Sequence, residues 1–281
     1  MTVYRPIGVF DSGYGGLTIL KALTRQLPEY DFLYLGDNAR APYGNRSFET
    51  VYRYTLSCVR FLFASGCRLV ILACNTASSR ALRTIQQKDL PGIDPEGRVL
   101  GVIRPTAEIA GIYSKTGRIG IFATSGTVNS QSYPLEIAKC YPGLRVFQEA
   151  CPMWVPLVEN NEYDTPGADY FIKKHVDHLY SQSTDIDAII LGCTHYPLLA
   201  SGIRKHLREE TILVSQDEII ASSLVDYLHR HPEMDINCSK TANLLFLTTD
   251  DPDTFDHHAG IFFGVPVKSG HAVPGGPPFM P

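Results

Sequence analysis

Short apolar runs, each trailed by a longer segment of helical spacing, recur along most of this chain, and that rhythm leaves few folds open to it. Ile7–Phe10, Phe32–Leu35, Leu69–Ala73, Ile119–Ala123, Arg145–Glu149 and Ala188–Leu191 have the length and apolar character of buried strands. Leu17–Leu27, Glu49–Ala64, Ser78–Gln87, Tyr170–Ser181 and Pro197–Leu207 read as helices between or after them. Alternation of this kind predicts an α/β fold with mainly parallel sheets flanked by helices. Ligands of such sheets bind beyond the carboxyl ends of the strands, so the residues just after each strand are where function is to be sought.

The two halves of the chain are also alike. Ile7-Gly8-Val9-Phe10 resembles Ile119-Gly120-Ile121-Phe122, and Val70-Ile71-Leu72-Ala73-Cys74 resembles Ile189-Ile190-Leu191-Gly192-Cys193, in the same order and at nearly the same offset. The pattern predicts two similar domains facing one another across a cleft, each presenting one cysteine at a strand end. Pro91, Gly92, Pro95 and Gly97 mark the expected boundary, and a second crossing is expected near residues 208–216. The expected division is residues 1–99 with 215–265 in the first domain and 100–214 in the second. A helix around Ile219–His229 and a strand at Leu244–Leu247 fall in the returning part, and residues 266–281 read as a poorly ordered tail rich in proline and glycine.

Composition excludes several classes. Among 281 residues, 25 are basic and 29 acidic, a formal charge of -4 that gives no general polyanion-binding surface. An apolar content of 44% argues against long disorder. The seven cysteines are odd in number and none has Cys-x-x-Cys spacing, which disfavours a disulfide framework or a structural zinc site. The opening MTVYRPIGVFDSG carries no secretory stretch, and no apolar run approaches a membrane span. The expectation is a soluble protein of a reducing compartment with free thiols, bound to neither nucleic acid nor membrane.

Two cysteines stand out. Cys74 follows the strand LVILA and precedes NTASSRALRTI, so its sulfur should sit near a helix N-terminus, whose dipole favours a thiolate. A lone buried cysteine is more often structural, but Asn75 and Thr76 supply hydrogen-bonding side chains to the same turn. Cys193 has a matching setting, followed by Thr194, His195, Tyr196 and Pro197, the last suited to a first helical turn. His195 is close enough in sequence to pass a proton, although such a histidine is often only a cap.

Other strand ends add polar groups. Asp11-Ser12-Gly13-Tyr14-Gly15-Gly16 joins an acid and a hydroxyl to glycines that let backbone approach a ligand. Gly13 and Gly15 could also begin a dinucleotide fingerprint with Asp37 as the ribose acid, but Thr18 stands where its third glycine belongs. Asp37 to Gly44, which includes Tyr43, is a polar turn-forming segment, and Thr124 to Ser130, which includes Thr127, offers hydroxyls that either hold a carboxylate or merely cap a helix. Cys151 to Glu159 reads as a rigid proline-containing loop with Glu159 toward the cleft, and His257 and His258 read as solvated.

These residues fit one economical chemistry. A carbon bearing an acidifiable hydrogen sits between two thiols. One thiolate takes the proton from one face and the other thiol delivers a proton to the opposite face, inverting the centre. Asp11 and His195 would tune or relay these protons, one on each side. Ser12, Asn75, Thr76, Thr124 and Thr194 would stabilise the charge that develops on the substrate carboxylate. A dinucleotide-binding protein with structural cysteines, and a non-catalytic module for acidic amino acids, are the competing readings.

The segments IGVFDSGYGGLTILK, YLGDNARAPYG, ACNTAS, IGIFATSGTVNSQSY, ACPMWVPLVE and LGCTHYPLL resemble, in order, those of the glutamate racemases in the cofactor-independent aspartate/glutamate racemase superfamily. LTTDDPDTF resembles their C-terminal region. The resemblance implies a racemisation of L- and D-glutamate without pyridoxal phosphate or metal, with Cys74 and Cys193 as the two acid/base residues. It implies substrate binding by Asp11, Ser12, Tyr43, Gly44, Asn75, Thr76, Thr124, Thr127, Thr194 and His195, and roles in ammonium handling and catalysis for Asp37 and Glu159. It further implies two α/β domains with the site between them, frequent homodimers, and a supply of D-glutamate to peptidoglycan synthesis in a bacterial cytoplasm. Arg104-Pro105-Thr106 and Ser130-Gln131-Ser132-Tyr133 depart from the usual pattern, which leaves a racemase of aspartate or another amino acid as the nearest alternative.

Overall fold

The computed structural model describes residues 4–279. Among these residues ten strands form two wholly parallel sheets. The first contains β1 (Ile7–Asp11), β2 (Phe32–Gly36), β3 (Leu69–Leu72), β4 (Arg98–Gly101), β9 (Leu244–Thr248) and β10 (Ser269–His271), in the order β10-β9-β2-β1-β3-β4. The second contains β5 (Arg118–Ala123), β6 (Arg145–Ala150), β7 (Ala188–Gly192) and β8 (Ile212–Val214), in the order β6-β5-β7-β8. The repeat seen in the sequence has its counterpart here, because β2-β1-β3-β4 and β6-β5-β7-β8 share one strand order. β1, β2, β3 and β7 are buried along their whole length, which is why they read as unbroken apolar runs rather than alternating ones.

In each sheet the chain leaves the central strand to one side and returns on the other. The crevice at that reversal lies past the ends of β1 and β3 in one half and of β5 and β7 in the other. The loops carrying Asp11, Cys74, Thr124 and Cys193 all start there.

Local chemistry starts and stops the helices. Ser47 accepts from the Thr50 N–H at the head of Phe48–Ala64, and Thr165 and Pro166 begin Pro166–Gln182. Asp251 and Pro252 begin Pro252–Phe263, which Gly264 ends at φ 91°. Gln131 occupies the left-handed region at φ 56° between Ser125–Ser130 and Ser132–Cys140, a conformation that glycine adopts without strain and other residues adopt less readily.

Several expectations are corrected. The helix expected at Ser78–Gln87 is replaced by a six-residue helix, Asn75–Arg80, which starts earlier because Cys74 caps it; after a break at Ala81 come a short helical turn, Leu82–Thr84, and a wide π-type turn, Ile85–Asp89. The boundary expected at residue 99 falls inside β4, which continues to Gly101, since Val99 and Leu100 pair with β3. The segment read as a rigid loop contains a helix, Trp154–Glu159, with Trp154, Val155 and Val158 turned into the core. The expected tail is not free along its length. Ser269–His271 pairs with β9 as the sheet's edge strand, and the Phe279 N–H donates to Ser65 Oγ. Residues 280 and 281 of that tail lie outside the described residues.

The returning segment is bound by polar as well as apolar contacts. Asp31, fully buried, accepts from Ser239 Oγ and from the Thr241 and Asn243 N–H groups. Helix Asp217–Arg230 packs against Gly16–Gln26, and Tyr14 stacks between Phe255 and Phe262.

Candidate active site

A cleft between the two sheets is lined from both halves. Ser12, Tyr43, Gly44, Cys74, Asn75 and Thr76 come from the first, and Thr124, Cys151, Val155, Pro156, Glu159, Cys193, Thr194 and His195 from the second. The two cysteines follow equivalent strands, β3 and β7, and both reach this single cavity. Cys74 and Cys193 are 6% and 7% exposed, sheltered but at its wall.

Cys74, two residues past β3, is in an extended conformation (ψ 121°), and its Sγ accepts from the Ala77 N–H at 3.4 Å. Ser12 Oγ lies 3.5 Å from the same sulfur. The expectation that the helix start would favour a thiolate here is not met. Burial, reinforced by the negative Asp11 beside it, pushes the Cys74 thiol up to about 12, and the Ser12 and Ala77 contacts offset only part of that. The first turn of a six-residue helix is a weak field against the cost of desolvating a sulfur anion.

Cys193 faces a different neighbour. His195 Nδ1 is 3.9 Å from Cys193 Sγ, and His195 Nε2 is 3.0 Å from Glu159 Oε1. Burial works against a charge on this imidazole, but its bonds to Cys193 and Glu159 prevail and raise it to about 10. The ring is held edge-on by Phe262, 5.4 Å between centroids, on the returning C-terminal helix. One sulfur is thus flanked by a carboxylate and a hydroxyl, the other by an imidazole backed by a carboxylate.

Hydroxyls join the halves across the cleft floor. Thr76 Oγ1 and Thr124 Oγ1 are 2.9 Å apart, and the Gly126 N–H donates to Gly44 O at 2.8 Å. A Cβ at Gly44 would come within 3.0 Å of Thr124.

Three expected site residues stand behind the wall rather than on it. Asp11 is buried; its Oδ2 accepts from the Gly13 N–H at 2.9 Å while Oδ1 has no partner, and desolvation raises its pKa. Asp37 is held by Arg40 Nε, Thr249 Oγ1 and the Tyr43 hydroxyl, so its oxygens already face protein donors and it fixes Tyr43, which does line the cleft. Thr127 is fully buried and bonds to Thr124. Of the two histidines read as solvated, His258 instead lies against Tyr14 and bonds to Thr254 O.

Gln216 was not legible in the sequence as a site residue. Its Oε1 accepts from Asn75 Nδ2 at 2.9 Å, and its Nε2 donates to Thr106 Oγ1 at 2.7 Å and to the Tyr133 hydroxyl at 2.6 Å. The Tyr133 hydroxyl in turn donates to Asn75 Oδ1 at 2.7 Å. Both ends of the Asn75 amide are thereby fixed. Thr106 and Tyr133 are far from Gln216 in sequence, and a polar residue heading helix Asp217–Arg230 gave no signal of its own.

Cys74 and Cys193 thus stand at equivalent strand ends on one cleft, between α/β halves of one strand order, an arrangement able to exchange protons with a carbon bound between them. The chain belongs to the Asp/Glu/hydantoin racemase family, whose sequence model matches residues 7–222. It is 40% identical over 248 residues to a glutamate racemase of Persephonella marina, covering 88% of this chain and 89% of that one. It is 42% identical over 256 residues to a glutamate racemase of Roseobacter denitrificans, covering 88% and 92%. The fold is similar to a glutamate racemase isoform of Bacillus anthracis, with TM-score 0.87, 35% identity and coverage of 97% and 98%. It is also similar to the glutamate racemase of Francisella tularensis in complex with D-glutamate, with TM-score 0.82, 32% identity and coverage of 96% and 97%.

Proposed function

We propose that this protein is a glutamate racemase that interconverts L- and D-glutamate by proton exchange between Cys74 and Cys193, without a cofactor. The observation that carries the reading is the meeting, in one cavity, of two cysteines from equivalent strand ends.

In one direction a thiolate takes the Cα proton from one face of bound glutamate. The electron pair is held at Cα and spread into the carboxylate until the opposite thiol gives its proton to the other face. One thiol ends protonated and the other ionised, so the reverse turnover starts from the product state. Ser12, Asn75, Thr76, Thr124 and Thr194 offer hydroxyl and amide groups to the substrate carboxylates, and donors aimed at developing charge lower the barrier in a sheltered cleft. The His195–Glu159 pair keeps a proton beside Cys193, and Asp11 sets the electrostatics beside Cys74. Asp37 and Thr127 act by holding Tyr43 and Thr124.

The same reading makes the product D-glutamate for peptidoglycan in a bacterial cytoplasm and the working form a homodimer. No helix among the described residues is long and apolar enough to cross a membrane.

The test is incubation with L-glutamate in D2O, following optical rotation and deuterium at Cα, with L-aspartate run in parallel. Racemisation of glutamate with solvent label, reduced at least about 1000-fold in Cys74→Ala and in Cys193→Ala alike, is the expected result. Unchanged turnover in either variant overturns the two-thiol assignment, and faster turnover of aspartate overturns the substrate.

A further inference from the structure

A second group of ligating side chains lies away from the cleft. Glu149 is near the end of β6, and His175 and His178 stand one turn apart on Pro166–Gln182, the helix that packs against that strand. Glu149 Oε1 is 2.6 Å from His175 Nδ1 and 3.5 Å from His178 Nδ1. One ligating atom from each of the three lies within 4.8 Å of the others, and no other such trio of His, Cys, Asp or Glu occurs among the described residues.

A hydrogen bond from His175 to Glu149 would by itself pin helix to strand. It does not account for His178, an exposed ring that turns its Nδ1 toward the same carboxylate oxygen. Two imidazoles and one carboxylate are the donor set of zinc-class divalent ions. Ligand bonds of about 2.1 Å at tetrahedral angles separate donor atoms by about 3.4 Å. The Glu149–His178 pair already has that spacing, and the Glu149–His175 pair reaches it by opening less than about 1 Å. His175 is buried against Trp154, with ring centroids 5.9 Å apart, so one ligand is held by packing while the exposed His178 leaves a way in.

We propose that Glu149, His175 and His178 form a site for one zinc-class divalent cation, with the remaining coordination open to water. The site is separate from the thiol chemistry and does not depend on it.

The neighbouring indole supplies the readout. Trp154 is the only tryptophan in the chain and is fully buried, so free ions in solution cannot collide with it. The full-length protein, freed of metal with a chelator, is titrated with Co2+ while Trp154 emission is followed, and with Zn2+ by calorimetry. Quenching that saturates at one equivalent is expected, with affinity weakened at least tenfold in His178→Ala and in Glu149→Gln. His178 is exposed, so its replacement leaves the fold intact, and circular dichroism checks this. Binding only at millimolar metal overturns the proposal. So does quenching unchanged in His178→Ala, or binding that persists there and disappears in Cys140→Ser, the exposed thiol.

Discussion

A Cβ at Gly15 would lie 2.2 Å from Thr194 Oγ1 and 2.5 Å from His195 Nδ1. Gly15 is in the ordinary right-handed region (φ -56°), so the glycine is required by space and not by backbone conformation. The loop after β1 and the loop after β7 come so close that a methyl group between them displaces the imidazole beside Cys193. The Thr18 hydroxyl, in the same turn, reaches Thr194 O at 3.4 Å.

Gly15→Ala is therefore expected to cost about 1–3 kcal/mol of stability by overpacking and to lower kcat/KM by about 100-fold. Thermal denaturation and steady-state racemisation check both. Activity within twofold of the parent would mean that the two loops separate freely and that their contact does not fix His195.

Gln216 holds Asn75 without lining the cleft, which makes it a positioning residue. Gln216→Ala strips partners from the Asn75 amide, Thr106 and Tyr133 in a buried region, at about 1–3 kcal/mol for each group left unpaired. A rise in KM of about tenfold with a smaller change in kcat is expected, because Asn75 loses its orientation while the thiols stay in place. Gln216→Glu, which still accepts from Asn75, should recover part of the loss. An unchanged KM in a folded Gln216→Ala protein would show that Asn75 orients itself.

The His195–Glu159 pair links stability to pH. Its folded-state pKa, about 10, is raised above the ordinary histidine value of 6.5. A raised cationic group stabilises the fold fully below its unfolded pKa and loses that contribution as pH rises through the folded one. The pair therefore adds stability below pH 6.5 that declines toward pH 10, by roughly 2 kcal/mol or more. Urea denaturation between pH 6 and 10 measures it. Glu159→Gln removes one of the imidazolium's two partners and should flatten the decline; an identical profile in that variant would remove Glu159 from the linkage.

Much of this protein was legible from its residues in order. Buried parallel strands announce themselves as apolar runs because both of their faces are covered, and the matching Ile-Gly-x-Phe and strand-Cys segments correspond to two sheets of one strand order. That both cysteines, Asn75, Thr76, Thr124, Thr194 and His195 line one cleft was readable because each comes within a few residues of a strand end. What only the tertiary structure decided depends on partners distant in sequence and on burial. Asp37 is occupied by Arg40, Tyr43 and Thr249. Gln216 finds Asn75 from the crossing just past β8. Ser269–His271 becomes a strand only because β9 is there to pair with it. The helix start at Cys74 was foreseeable, but whether it could hold a thiolate was not. That balance is set by how much water the closed halves exclude and by the carboxylate of Asp11, which the fold leaves beside the sulfur.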